Sequence, residues 1–504
     1  MSKYLYGVSI QGIQEFIFKT NKLKEIIGAS KIVEDMDSKD FQTEYNLKEK
    51  PEKLLQAAGN IRLRFNNKED LEKVVRNFPK DIMLKAYGIT ISQAVVKYTN
   101  NYKKDSLELE KKLKIQRNKV SFPLDFHFNI LKQNPRTALP LVNKDEDKAT
   151  KQKVEKFQLF ANKQENRKTI FDIEDLSNNK NKIAIIHADG NGLGNIVKEL
   201  NENEIMQFSE QLDKATKKAY EIASDGITQI RKVILGGDDL TVIIDANEAL
   251  NFTKIFLEEF EKNSKKIYKD FDLTACAGIT YCNEKYPFHY AVKLAEELCS
   301  HAKKDSKDFA KEKNLPLAPS SLMFHNIQSS NVDSFAKFID DELTINKKEK
   351  IRCDFGPYYL NKYENKPTIE NLEKVIEDFK KENSPKGRLR EWLKDLEFDR
   401  RVKDVTALAL LNKLQNKHTQ WDLYKRFRDG ELDRKGLMQI VNSENIKPNS
   451  QCELTLNKSK FQLMFKPSKE LSKKGKYLEY ERFAKEKLEN LQKELQEKER
   501  ELLK

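Results

Sequence analysis

The N-terminal run Tyr4-Leu5-Tyr6-Gly7-Val8-Ser9-Ile10 is dense in aromatic and β-branched residues and predicts a strand. Helically spaced apolar positions then predict a helix from about Gln14 to Asp35, and a hairpin follows around Ala57-Ala58-Gly59-Asn60. A helix over Glu69 to Tyr87 and a strand over Ile89 to Val96 complete a segment read as residues 1–98. Residues 99–182 are rich in charge. They include Asn143-Lys144-Asp145-Glu146-Asp147-Lys148, which reads as a solvated loop or insertion.

Over 183–330 the same order of elements returns. Ile183 to Ala188 is a strand, Glu204 to Ser224 a helix, and Val233 to Leu235 with Leu240 to Ile244 are two strands around a Gly-Gly-Asp-Asp turn. A helix (Ala246 to Tyr268), a strand (Leu273 to Thr280) and a helix (Pro287 to Lys304) follow. Both copies have the β-α-β-β-α-β order of a ferredoxin-like unit. Ser9 and Ala57 stand 48 residues apart, Asp189 and Gly236 stand 47 apart, so strand end and hairpin turn keep their spacing. Residues 331–504 show helical periodicity, including Leu389 to Leu396 and Val405 to Leu414. They end in a Glu/Lys-rich helix with Phe483, Leu488, Leu491, Leu495 and Leu502 at near-heptad spacing. The fold class is therefore α+β, with a C-terminal helical domain.

Composition narrows the function classes. At 504 residues, 38% hydrophobic with 28 Phe, the chain can build several cores, which argues against general disorder. Its longest apolar runs are far below the roughly 20 residues of a membrane helix, and no membrane is expected. The first residues lack the features of a signal peptide, so a cytoplasmic location is expected. Five dispersed cysteines without a C-x-x-C pair indicate neither a disulfide framework nor a cysteine-rich zinc site. The net charge of +13 fits a nucleic-acid or polyphosphate partner, and equally a Lys/Glu-rich composition that binds none. The densest basic stretch, 457–476, interleaves Lys458, Lys460 and Lys466 with Phe461 and Phe465. It reads either as an RNA-binding segment or as a solvated linker anchored by two phenylalanines.

Two motifs carry chemistry. In His187-Ala188-Asp189-Gly190-Asn191-Gly192-Leu193-Gly194 an apolar strand delivers an aspartate, and a glycine-rich turn lets backbone N–H groups approach phosphate. Gly236-Gly237-Asp238-Asp239 presents two carboxylates on a tight hairpin. In a ferredoxin-like sheet the first strand lies beside the central hairpin, so Asp189, Asp238 and Asp239 meet at one edge. Three carboxylates there repel unless cations lie between them, which suits two Mg²⁺ or Mn²⁺ ions and phosphoryl transfer on a nucleotide. Lys303, at the end of the last helix of the unit, is placed to reach the triphosphate, although a lysine there also complements the helix dipole. Gly190, Asn191, Gly192, Gly194, Gly236, Gly237 and Lys303 are thus the candidate nucleotide-binding residues, and the three aspartates the catalytic and metal-binding ones.

The Ala-Asp-Gly-Asn-Gly-Leu-Gly and Gly-Gly-Asp-Asp pair resembles the second palm domain of the large, polymerase-like subunit of type III CRISPR effector complexes, a relative of GGDEF cyclases. Gly7 to Phe18, continuing through Lys22 to Ser30, resembles that subunit's first palm. The resemblance implies two ferredoxin-like palm domains (βαββαβ) with an inter-palm insertion. It also implies conversion of ATP to a cyclic or linear oligoadenylate when target RNA is sensed. The implied partners are ATP and, through other subunits, guide and target RNA, with the chain a monomer within a ribonucleoprotein complex. Ser9 stands where Asp189 stands and Ala57-Ala58-Gly59-Asn60 where the carboxylate turn stands, so the first copy has no metal ligands. The resemblance also implies an acceptor nucleotide between the palms, with Ser9 to Gln14 facing a second ATP.

Two departures shape the expectations. None of the six histidines is followed by Asp, so the HD nuclease activity of many family members is not expected. The insertion has no cysteine, so no zinc is expected there, and Pro135-Arg136-Thr137-Ala138 reads as a metal-free remnant of a zinc module. A stand-alone GGDEF-like cyclase and a non-catalytic RNA-binding scaffold are the alternatives.

Overall fold

The structure, a computed structural model, describes residues 3–57, 59–119, 130–163, 172–265, 267–268, 271–328, 334–346, 351–352, 356–381 and 426. The readings made for 382–504, including the basic stretch and the terminal helix, lie outside these residues apart from Arg426. The chain divides into one unit of Met1–Phe335 with Gly356–Glu370 and another of Ala336–Phe355 with Asn371–Lys504. The first unit holds both palms.

The first palm contains β1 (Lys3–Gln11), α1 (Ile13–Phe18), α2 (Leu23–Asp37), α3 (Phe41–Tyr45), β2 (Glu52–Ala57), β3 (Asn60–Phe65), α4 (Lys68–Lys85) and β4 (Thr90–Tyr98). Its antiparallel sheet has the order β2-β3-β1-β4, the ferredoxin-like arrangement expected from the sequence. The single helix expected over Gln14 to Asp35 is two helices. Thr20 breaks it: the buried Thr20 hydroxyl accepts the Lys22 N–H (3.1 Å) and donates to Glu25 (2.5 Å), closing a turn that competes with the helical ladder.

The inter-palm insertion is more ordered than a solvated loop. It contains α5 (Tyr102–Arg117) and α6 (Lys148–Ala161). Asp147, expected in solvent, is fully buried and caps α6: its carboxylate accepts from Thr150 N (3.0 Å), Asn134 Nδ2 (2.7 Å) and Thr137 Oγ1 (2.8 Å). Arg136 reaches across to the buried Glu25 with both terminal nitrogens at 3.2 Å. The buried Lys153 ammonium donates to Phe16 O at the end of α1 and lies 4.4 Å from the Phe16 ring centre. Burial holds that lysine down to about 8. The insertion therefore staples the α1–α2 turn.

The second palm contains β5 (Lys182–Gly190), α7 (Leu193–Glu199), α8 (Glu202–Ala223), β6 (Ile230–Gly236), β7 (Asp239–Asp245), α9 (Ala249–Asn263), β8 (Ala275–Asn283), α10 (Phe288–Lys313) and β9 (Ser321–Asn326). Beyond it come α11 (Phe335–Glu342), β10 (Thr344–Asn346), β11 (Ile351–Arg352), β12 (Tyr358–Tyr359) and α12 (Ile369–Lys380). The ferredoxin-like order β8-β5-β7-β6 is extended at the β8 edge by the parallel β9 and then β12, which periodicity did not disclose. Alternation along β5 sorts its faces. Ala184, Ile186 and Ala188 join the core with Phe208 of α8 and Phe252, Phe256 and Phe260 of α9. The two-residue period puts Ile183, Ile185, His187 and Asp189 on the opposite face.

On that face α10 packs against the sheet, and only glycine allows the approach at one point. A Cβ on Gly278 would lie 2.0 Å from Ala295 O and 2.5 Å from Cys299 N. Cys276, Cys282 and Cys299 are buried free thiols, as the dispersed spacing suggested; Cys353 and Cys452 lie outside the described residues. Among the described residues no helix is long and apolar enough to cross a membrane. The palms meet directly: Ser30 of α2 donates to Val233 O of β6 (2.5 Å), and Arg64 and Tyr98 of the first palm both bind Glu202 at the start of α8. Gly278→Ala forces α10 off β8 and should destabilise the protein by about 1–3 kcal/mol, read as a lowered urea midpoint.

Candidate functional site

The two copies align by register as well as by sequence. In the first palm Ser9 pairs with Asn60 across β1 and β3, and Ala57 pairs with Asn60 across the turn. In the second, Gly236 pairs with Asp239, and the β5–β7 ladder ends at Ala188↔Leu240, one step short of Asp189. Asp189 thus occupies the position of Ser9, and Asp239 that of Asn60.

Glycines make the carboxylates converge. Gly237 adopts φ 62°, which the tight hairpin requires, and Thr216 of α8 pins the turn by donating to Gly237 O at 2.6 Å. A Cβ on Gly190 would meet Asp238 Cβ at 3.0 Å and Oδ2 at 3.1 Å, so its absence admits Asp238 to the end of β5. Asp189 acts on the neighbouring Asp238 carboxyl at the end of β5. Burial, then the charges of Asp239 and Asp189, hold the Asp238 carboxyl far above the usual range. Burial and Asp189 push Asp239 up to about 7, with Lys303 opposing.

Lys303 lies in this corner. Its ammonium binds Asp189 Oδ2 and donates to Gly190 O at 2.8 Å. Burial works most strongly against its charge, yet Asp189, together with Cys299 and Asp238, raises it above the ordinary lysine range. His187, buried on the same face of β5, accepts or donates at 3.3 Å with Thr241, and burial holds it neutral, at about 4. Asn191 is fully buried: its Nδ2 donates to Ala318 O (3.1 Å) and Thr274 Oγ1 (3.2 Å), fixing the turn to the loop before β9, while its Oδ1 has no hydrogen-bond partner. Gly192 begins α7 at φ 72°, and Gly194 has open space around its Cα.

Glu296 was not anticipated. It stands seven residues before Lys303, two turns along one face of α10, and burial followed by the Asp239 charge pushes its carboxyl to about 7. Its Oε1 is buried without a partner. The Glu296–Lys303 spacing was the available signal.

Asp239 also opens onto a cleft of about 380 Å³ between the palms. Gly12, Ile13 and Glu15 around α1, and Ser30, Glu34 and Asp37 of α2, form one wall; Val233 to Gly236 of β6 form the other. The cleft separates the carboxylate corner from the expected nucleotide-facing segment, of which Ile10 and Gly12 to Gln14 line it.

The donor set suits a hard cation. Asp189, Asp238 and Asp239 offer only oxygens, and their mutual repulsion, visible in the raised carboxyls, is what Mg²⁺ or Mn²⁺ would relieve. Among the described residues no three such side chains stand at closed ligand spacing, and Asp189 is turned to Lys303. A cation placed there would compete with the Lys303 ammonium for Asp189.

Residues 182–311 match the family model described as Cas10/Cmr2, second palm domain. No curated protein sequence matches the chain. Among solved structures, the chain is similar to one of a Csm1-Csm4 cassette in complex with pppApA (12% identity, TM-score 0.43), covering 60% of this chain and 53% of that one. It is similar also to a Csm1-Csm4 cassette in complex with cA4 (13% identity, TM-score 0.43; 66% and 55% covered). A Csm1-Csm4 subcomplex of the type III-A CRISPR-Csm interference complex gives 13% identity and a TM-score of 0.43, with 60% and 53% covered. The chain thus spans about half the length of the solved chains it matches.

The raised Asp239 carboxyl has a stability consequence. Its folded value, about 7, exceeds its unfolded value, so its favourable contribution is present at acid pH and is lost as pH rises through 7. In EDTA, Asp239→Asn should stabilise the protein at pH 8 by about 1–2 kcal/mol, roughly 2–8 °C in Tm, and by about half as much at pH 5.5. An equal shift at both pH values would contradict this.

Proposed function

We propose that this chain, whose residues 182–311 match the Cas10/Cmr2 second palm domain, is the nucleotidyltransferase of a type III CRISPR effector complex. Its reaction is conversion of ATP to a cyclic or linear oligoadenylate in antiviral defence, controlled by target RNA bound to the complex. The observation that carries this reading is the corner itself. The Asp189 charge acts on both Asp238 and Asp239, Lys303 is paired with Asp189, and the cleft at Asp239 is walled by a palm whose equivalent positions are Ser9 and Asn60.

Asp189, Asp238 and Asp239 would hold two Mg²⁺ or Mn²⁺ ions, which when bound acidify a ribose 3′-hydroxyl and neutralise charge on the departing pyrophosphate. The chain's own groups do the rest. Lys303, freed from Asp189, pairs with triphosphate oxygens, and its 2.8 Å bond to Gly190 O keeps it at the glycine-rich turn. Gly190, Gly192 and Gly194 leave that turn without side chains that would block a phosphate; Gly236 and Gly237 do the same on the hairpin. Asn191 holds the turn against the loop before β9. The first palm offers Ile10 and Gly12 to Gln14 to an acceptor ATP and supplies no competing carboxylate at Ser9 or Asn60.

The raised carboxyls set a pH requirement, because a protonated Asp238 or Asp239 cannot ligate an ion. Binding of Mn²⁺ or Mg²⁺ should therefore strengthen from pH 6 to pH 8. Turnover of labelled ATP with Mg²⁺, by the chain alone and with its complex, should fall at least about 100-fold in Asp238→Ala/Asp239→Ala and change little in Ser9→Ala. Undiminished product from the double variant would refute the assignment. A cyclic dinucleotide made from GTP by a homodimer would favour the free-standing cyclase instead.

A further inference from the structure

The carboxylate turn is held from a neighbouring helix by a hydroxyl that the helix itself does not need. Gly236 pairs with Asp239, so Gly237 and Asp238 are the two central residues of the hairpin. Gly237 has φ 62° and Asp238 is not among the residues with positive φ, which is the pattern of a type II′ turn. A half-turn of the peptide between them gives type I′, which requires positive φ at Asp238 as well. Aspartate tolerates that region better than most residues, so the turn's own preference between the two forms is weak.

The oxygen of that peptide is Gly237 O, and Thr216 donates to it at 2.6 Å. Thr216 is fully buried in the middle of α8, and its hydroxyl also lies 3.0 Å from Leu212 O, one turn back. That i−4 carbonyl alone satisfies a buried helical threonine. One proton is thus shared between two carbonyls, and the hairpin oxygen is the nearer. The consequence falls on Asp238, whose side chain packs against the bare Gly190 at the end of β5, where an added Cβ would come within 3.0 Å of Asp238 Cβ. Turning the peptide tilts the Asp238 Cα–Cβ bond and re-aims the carboxylate.

The first palm holds its turn differently. Ala57 pairs with Asn60, the positive φ falls one position later, at Gly59 (72°), and the Ile10 N–H donates to Gly59 O at 2.8 Å. The buried hydroxyl of α2, on Ser30, goes to Val233 O of the other palm. Among the described residues the helix hydroxyl on a turn carbonyl belongs to the copy that keeps its carboxylates.

We propose that Thr216 is a positioning residue for the carboxylate turn: its hydroxyl fixes the plane of the Gly237–Asp238 peptide and so aims Asp238 at the end of β5. That the aimed carboxylate then ligates a cation rests on the nucleotidyltransferase reading; the clasp itself does not.

The sequence supplies a clean probe. Of the 17 glycines only Gly237 is followed by aspartate, so the full chain made with carbonyl-13C glycine and 15N-aspartate gives one carbonyl–nitrogen correlation, from this peptide. In EDTA, Thr216→Val should displace the Gly237 carbonyl signal upfield, as loss of a hydrogen bond does, and Thr216→Ser should leave it near its wild-type position. Mn²⁺ affinity at pH 8, read by electron paramagnetic resonance, should fall roughly tenfold in Thr216→Val and stay within about twofold in Thr216→Ser. Glu202→Gln is the control. It loosens the other end of α8, fourteen residues and about 21 Å away, where Arg64 and Tyr98 bind, and should lower Tm without moving the signal or the affinity. An unmoved carbonyl in folded Thr216→Val, equal displacement in Thr216→Ser or Glu202→Gln, or a displaced carbonyl with unchanged Mn²⁺ affinity would each overturn the positioning role. The carbonyl is read without metal, so a wild-type chain that bound no Mn²⁺ would refute the metal reading, while its Thr216→Val displacement would still support the clasp.

Discussion

Like-charge repulsion between Asp189, Asp238 and Asp239 is the constraint on which the second palm is built. Carboxylates brought this close in a partly desolvated corner either take up protons or gather cations, and both tendencies are present here: Asp238 and Asp239 are pushed up, and Lys303 is drawn onto Asp189. Holding them there takes a fixed scaffold. The central strand β5 fixes Asp189, the bare Gly190 admits Asp238, and α8 grips the hairpin through Thr216. The close seat of α10 at Gly278 brings Lys303 and Glu296 to the same side. Under the proposed metal-site reading, stability is given up locally in exchange for affinity for cations.

The first palm makes sense against that constraint. It repeats the sheet order and register without the carboxylates, so it can lie against the site without adding to the repulsion. Its α1–α2 turn forms a cleft wall, and the insertion holds that turn through Arg136 on Glu25 and Lys153 on Phe16.

Much of this was legible in the sequence because it rests on short-range rules. The period-two strands, the glycine-rich turn after Asp189 and the Gly-Gly-Asp-Asp hairpin each announce a local conformation, and equal spacing announced the duplication. What stayed hidden depends on contacts between distant residues. Thr20 breaks a helix because Glu25 and Arg136 converge on it, Asp147 is buried because Asn134 and Thr137 fold over it, and β9 joins β8 from beyond the βαββαβ unit. Glu296 looked like one acid among many on an amphipathic helix, and only its seven-residue distance from Lys303 linked it to the site.

The central claim is that these three carboxylates are one metal site serving a nucleotide in the cleft. Mn²⁺ titration of the full chain followed by electron paramagnetic resonance, with a non-hydrolysable ATP analogue present, tests it most directly. Two ions bound per chain, reduced to one or none by Asp189→Asn with the thermal transition preserved, is the predicted result. An Mn²⁺ stoichiometry indifferent to Asp189, or no binding by the folded chain at pH 8, would contradict the account.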